Sequence, residues 1–162
     1  MARIYISIGS NIEREQHIRA ALVELRAQFS NVCCSPVYES EPVGFHGGNF
    51  FNAVVACDTE KLVHDVARCL AEIEARNGRV RASERFMDRT LDLDLLLYDD
   101  LVVQERDIKL PRAEILTNAF VLRPLAEIAP NARHPVVEKT YAELWHDFPR
   151  AEQRLWPVEF SW

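Results

Sequence analysis

Asp92 and Asp94 stand two residues apart in the run Arg89-Thr90-Leu91-Asp92-Leu93-Asp94-Leu95-Leu96-Leu97-Tyr98. On a β-strand, side chains two apart leave the same face about 6.6 Å from one another. Leu91, Leu93, Leu95 and Leu97 are therefore expected to bury while the two carboxylates converge on the opposite face. Two hard oxygen donors on a rigid strand can hold one or two Mg²⁺ and leave coordination positions for phosphate oxygens. A solvated sheet face has the same spacing, so the spacing alone does not choose. Just upstream, Arg76, Arg79, Arg81, Arg85 and Arg89 set five guanidinium groups within fourteen residues, against Glu84 and Asp88. The planar arginine fork grips phosphate bidentately and can follow charge developing on a transferred group. A surface network of arginines and carboxylates is the competing reading. Neither a Gly-x-x-x-x-Gly-Lys-Ser/Thr loop nor a kinase glycine-rich loop occurs, so any phosphates must be held by side chains. A flat heterocycle would need aromatic faces and an amide for its ring donors and acceptors. Phe50, Phe86, Phe120 and Asn52 could supply these, although each phenylalanine taken singly reads as core.

These groups need a sheet to position them. Ile4, Ile6 and Ile8 alternate with polar neighbours before Gly9-Ser10-Asn11 breaks the run, which predicts a first strand. Residues 16–29 carry Ile18, Ala21, Leu22, Leu25 and Phe29 on one helical stripe. Residues 32–38 read as a second strand, 39–49 as a long loop holding three of the five glycines, and 51–58 as a third strand antiparallel to the second. Asp58 or Thr59 is expected to cap a second helix with the stripe Leu62, Val66, Cys69, Leu70 and Ile73. That helix should stop at Asn77-Gly78, where glycine suits a left-handed end. Residues 91–98 form the fourth strand. The order βαββαβ predicts a ferredoxin-like α+β fold with its helices on one face of an antiparallel sheet. A C-terminal αβ extension follows, with a strand or hairpin near Leu101-Val102-Val103 and helices near 119–127 and 140–145. Trp145, Trp156 and Trp162 are expected to pack this last part.

Composition bounds the rest. A chain of 162 residues, 48% apolar and 27% charged, is expected to be a single domain spanning 1–162, with no disordered or low-complexity segment. Apolar runs of four or five residues are too short for a membrane span or a secretory leader, which predicts a cytoplasmic protein. The net charge of −6 opposes a nucleic-acid backbone, so no nucleic-acid partner is expected. Cys33, Cys34, Cys57 and Cys69 contain no Cys-x-x-Cys pair and read as reduced core residues. The five histidines show no metal-ligand spacing.

With these features assembled, Arg79-x-Arg81 followed by Glu84-Arg85-Phe86-x-x-Arg89-Thr90-Leu91-Asp92-Leu93-Asp94-Leu95-Leu96-Leu97-Tyr98 resembles the signature of the hydroxymethyl-dihydropterin pyrophosphokinase family. Ser7-Ile8-Gly9-Ser10-Asn11, Tyr38-x-Ser40-x-Pro42-x-Gly44, Phe51-Asn52-Ala53-Val54-Val55 and Phe120-Val121-Leu122-Arg123-Pro124-Leu125 extend the likeness over almost the whole chain. The resemblance implies a ferredoxin-like fold and transfer of pyrophosphate from ATP to a hydroxymethyl pterin, releasing AMP. It implies that Asp92 and Asp94 bind two Mg²⁺, and that Arg79 and Arg89 stabilise the transferred group. The pterin would lie between Phe86 and Phe120, edged by Ser40, Pro42, Val43, Gly44 and Asn52 with Phe50 alongside. Glu74 and Arg81 would sit on the nucleotide side, and a monomer is expected rather than an oligomer.

The chain departs from the family pattern at the nucleotide end. Leu110-Pro111-Arg112-Ala113 carries an arginine where the family usually has histidine, and Arg112 cannot transfer a proton at neutral pH. Met87-Asp88 stand where Gly-Pro is common. Asp107 and Asn118 replace basic residues that would hold ATP, with Lys109 as compensation. A catalytically weakened paralogue that binds a pterin or nucleotide is the alternative.

Overall fold

In the computed structural model, which describes residues 1–42, 47–78 and 90–162, the first strand β1 (Ala2–Ser10) lies inside the sheet. Ile4, Ile6 and Ile8 are completely buried on one face. β1 pairs antiparallel with β4 (Phe50–Thr59) on one side and with β5 (Asp92–Tyr98) on the other. Helix α1 (Arg14–Gln28) buries Ile18, Ala21, Leu22 and Leu25, as its stripe predicts. Helix α2 (Val63–Arg76) buries Val66, Cys69, Leu70 and Ile73 in the same core cluster as the three isoleucines, so both helices cover one face.

The second strand is broken. β2 (Ser30–Cys34) and β3 (Tyr38–Ser40) both pair with β4, separated by Ser35-Pro36-Val37. Pro36 has no N–H for the ladder. Ser35 bridges the break: its backbone N–H donates to Val54 O at 2.9 Å and its Oγ accepts from Val54 N at 2.9 Å. The sheet order is β5-β1-β4-β3-β8, with β2 also on β4, where β8 is Leu155–Pro157. Counting β2 and β3 as one interrupted strand, this is the ferredoxin-like order.

Several expectations require correction. The second helix starts at Val63 rather than after Asp58 or Thr59, and Leu62, assigned to its apolar stripe, is 71% exposed. The Thr59 hydroxyl instead accepts from Lys61 N at 3.0 Å, closing a local turn that competes with a helix cap. The helix ends as expected, with Gly78 left-handed at φ 85°. The two helices of the βαββαβ core cover one face as expected, and the helices of the C-terminal extension cover the other. α3 (Glu114–Thr117), α4 (Ala119–Ile128) and α5 (Tyr141–Asp147) form a second cluster with Val54, Leu96 and Leu97. A register shift opposite Tyr5/Ile6 inserts one extra residue into β5 and turns Leu97 away from the face of Leu93 and Leu95. The hairpin after β5 is a separate two-stranded piece, β6 (Val103–Gln104) with β7 (Lys109–Leu110). Cys57 and Cys69 are buried, but Cys33 is exposed and Cys34 half-buried, because alternation on β2 points one of the neighbours outward. All four are free thiols. Among the described residues, no helix is long and apolar enough to cross a membrane.

Candidate active site

Asp92 and Asp94 project from the face opposite buried Leu93 and Leu95. The sheet register then sets what lies beside them. Asp92 pairs with Gly9, Gly9 with Asn52, and Asn52 with Tyr38, so one transverse row crosses β5, β1, β4 and β3. With neighbouring strands about 4.8 Å apart, Asp92 and Asn52 face one another across roughly 10 Å. Gly9 forms the floor between them. A Cβ there would lie 3.4 Å from Asn52 Oδ1 and 3.9 Å from Phe50 Cδ2, so a larger residue would fill the gap.

The Asn52 wall is rigid. Asn52 and Ser40 are only 4% and 5% exposed, and Asn52 Nδ2 donates to Ser40 Oγ at 2.7 Å. That bond leaves Oδ1 turned toward the Gly9 floor. Phe50, opposite Ser40 in register, is half-buried beside it, and Phe120 is half-buried at the second position of α4. The stems of the glycine-containing loop are also tied down: Asn11 Nδ2 donates to Gly48 O at 3.1 Å, and Arg14 reaches both Glu39 Oε2 and Asn49 O. Pro42 is half-buried at the loop's near end.

The carboxylate wall is electrostatically loaded. Burial raises the Asp94 carboxyl well above its ordinary value, and the Asp92 charge adds to it; Arg112 opposes the rise. Arg112 Nη2 lies 3.4 Å from Asp94 Oδ1, while its Nε donates to Glu114 Oε2 at 2.6 Å. Glu74, 2% exposed on α2, accepts from Leu93 N at 2.8 Å and holds β5 at the point between the two aspartates. Glu74, Asp94, Lys109 and Arg112 line one cleft of about 180 Å³ with Leu70 and Leu110; Asp107 borders it too. The structure thus brings Lys109 and Arg112, both assigned to the nucleotide, into one cleft with Asp94, and gives Glu74 a backbone-holding bond that its assignment to the nucleotide did not include. Val43, Gly44, Arg79, Arg81, Phe86 and Arg89 lie outside the described residues.

Among the described residues, no group of three His, Cys, Asp or Glu side chains forms a metal cluster. The donor set nevertheless fits a hard cation shared with a ligand: two carboxylates on one face, one of them raised first by burial and then by the charge of the other. Two functional groups escaped the sequence reading. Gly9 entered only as the break after the first strand and within Ser7-Ile8-Gly9-Ser10-Asn11, with no place in the site, and Glu114 was not singled out at all.

Fold and face together define a ferredoxin-like α+β protein in which an acidic pair borders a cleft of mixed charge and lies across a glycine floor from a buried amide. Residues 5–130 match the model of the 7,8-dihydro-6-hydroxymethylpterin-pyrophosphokinase (HPPK) family. The chain belongs to that enzyme family. It is 39% identical over 137 residues to the 2-amino-4-hydroxy-6-hydroxymethyldihydropteridine pyrophosphokinase of Pseudomonas aeruginosa, covering 82% of this chain and 84% of that one. It is 35% identical over 147 residues to the protein of the same name from Aquifex aeolicus, covering 88% and 90%. Among solved structures, wild-type Plasmodium falciparum HPPK-DHPS superposes with a TM-score of 0.72 at 13% identity, covering 90% of this chain and 43% of that one. That likeness concerns the fold, and this chain spans under half of that structure's length.

Proposed function

We propose that this protein transfers the terminal pyrophosphate of ATP to the hydroxymethyl oxygen of 6-hydroxymethyl-7,8-dihydropterin, giving AMP and the pterin diphosphate for folate synthesis. The observation that carries the reading is the row Asp92–Gly9–Asn52, with an acidic pair on one side of an open floor and a pre-set amide on the other. The names of the curated relatives support the same substrate class.

A ring lying over Gly9 meets Asn52 Oδ1 and the Ser40 hydroxyl at its edge. Phe50 and Phe120, with Phe86 from the resemblance, offer faces for stacking. Seating the ring this way fixes the direction of its hydroxymethyl arm, which turns an encounter of two molecules into a positioned reaction. Asp92 and Asp94 would hold Mg²⁺, which when bound neutralises phosphate charge and makes the pterin hydroxyl more acidic. Lys109 and Arg112 face the same cleft and would contact the phosphates; Arg79, Arg81 and Arg89 are proposed to add charge to the transferred group. A new bond forms between the hydroxymethyl oxygen and the β-phosphorus. The bond from that phosphorus to the α–β bridging oxygen breaks, its electron pair leaves with AMP, and the hydroxyl proton is released to water. Arg112 stays protonated throughout, so it stabilises charge and does not shuttle the proton. A monomer in the cytoplasm belongs to the same reading.

Incubation with ATP, Mg²⁺ and the dihydropterin should yield pterin-dependent AMP and no ADP. The Arg112–Asp94 ion pair favours a second reading, a binding module in which a guanidinium has taken the place of the cation. Tight pterin binding without any AMP would select that reading.

A further inference from the structure

The family match ends at residue 130, yet a later part of the chain touches both walls of the ring pocket. β8 pairs antiparallel with β3, setting Leu155 opposite Ser40, Trp156 opposite Glu39 and Pro157 opposite Tyr38. Val158 N donates to Val37 O at 3.0 Å and prolongs the pairing. Ser40 is the residue that takes the Asn52 amide, so β8 lies directly behind the amide wall.

Two residues before Leu155, Gln153 grips the other wall. Its Oε1 accepts from Ala119 N at 2.8 Å, and its Nε2 donates to Thr117 O at 2.8 Å. Ala119 N is among the first-turn N–H groups of α4 that have no partner inside the helix, and Asn118 at the cap position makes no side-chain bond to that turn. Gln153 satisfies this donor from a distant segment, immediately before Phe120. The far end of the segment is itself anchored. Phe160 packs edge-on against Phe51 at 6.2 Å and Trp162 against Phe160 at 5.1 Å, while Arg19 lies 4.6 Å over the Phe160 ring and donates to Ser161 O. The intervening Arg154–Glu41 pair, 3.7 Å and exposed, adds little.

We infer that Gln153, together with β8, is a positioning clamp for the pterin pocket. It sets the separation between the Phe120 wall and the Ser40–Asn52 wall without touching the reacting atoms. This rests on the pterin reading of the site. The sheet order places β8 at the opposite edge from β5, whose carboxylates and cleft are assigned to the nucleotide; although Gln153 also ties the residues on either side of Asn118, the clamp should act on the pterin more than on the nucleotide.

The test uses the full chain with Gln153→Met, which keeps side-chain length but neither accepts nor donates, and Gln153→Glu, which keeps an oxygen for Ala119 N. Calorimetry would measure 6-hydroxymethyl-7,8-dihydropterin and a non-hydrolysable ATP analogue with Mg²⁺ separately, alongside thermal melts and steady-state kinetics. In Gln153→Met, which loses both bonds, the pterin Kd and KM should rise about five-fold, since only part of that loss is felt at the pocket, with kcat and nucleotide Kd held within about two-fold. Gln153→Glu should recover part of the loss. An unchanged pterin Kd with a lowered melting temperature would make Gln153 a purely structural cap and overturn the inference, as would equal weakening of both ligands. If the wild-type chain binds the nucleotide but no dihydropterin, the reading of the site fails and the clamp falls with it.

Discussion

At the residue scale, the site is a set of unlike demands met side by side. Asp94 is raised by burial and by Asp92, and Arg112 answers only part of that charge because Glu114 holds its Nε. A cation shared between the aspartates would relieve the repulsion. Asp94→Asn should therefore reduce AMP formation by at least about a hundred-fold while pterin affinity stays near wild type, since the amide wall is a separate structure. Paired calorimetry and AMP assays check this, and near-normal turnover would remove the aspartates from the chemistry. Gly9 makes the complementary demand for empty space. Gly9→Val should leave the protein folded but weaken dihydropterin binding about ten-fold, because its side chain would occupy the floor between Asp92 and Asn52. Unchanged binding in an intact fold would show that no ring lies over Gly9.

At the element scale, short segments are held by single polar groups. α5 begins with a capping box in which Thr140 Oγ accepts from Glu143 N and the Glu143 carboxylate accepts from Thr140 N. The loop before it is closed around His134, whose Nδ1 accepts from both Val136 N and Val137 N and whose ring meets Tyr141 edge-on at 6.3 Å. Burial lowers the His134 pKa in the folded state. The neutral ring is thus the folded form, so its contribution is complete above the unfolded value of about 6.5 and is lost as pH falls through the lower folded value. Melts should show a stability loss on acidification below about pH 6.5 that is smaller in His134→Asn, which offers a non-titrating acceptor. Identical pH profiles for the two proteins would assign the loss to other groups.

At the scale of the whole molecule, α1 and α2 close one sheet face while α3, α4 and α5 cover the other, leaving the acidic pair and the amide wall on that second face. Exposed aromatic side chains on a ferredoxin-like sheet can stack RNA bases. Here the sheet carries carboxylates and the chain a net charge of −6, which opposes the phosphate backbone. Single-stranded RNA should not be retained at about 0.15 M salt, as a filter-binding titration would show; salt-sensitive retention there would reopen a nucleic-acid role.

What was legible in the sequence was local. Period-two and helical spacing placed β1, α1, β4 and β5 within a few residues, and the Asp92/Asp94 pair and the run from Arg79 to Tyr98 carried the family likeness. Spacing along one strand records which residues share a face, so the convergence of the two aspartates was readable. The pairing of Asp92 with Gly9 and of Gly9 with Asn52 was not, because register depends on how strands far apart in the chain settle against each other. The same reason hid the extra residue that turned Leu97 to the other face and the ties that Glu114 and Gln153 make to their partners. Local spacing and motif were enough to read most of the elements, the candidate chemistry-bearing residues and the family; the register, the sharing of Arg112 between two carboxylates and the strand that backs Ser40 came only with the packing of distant segments, since contacts between residues far apart in the chain leave no local pattern.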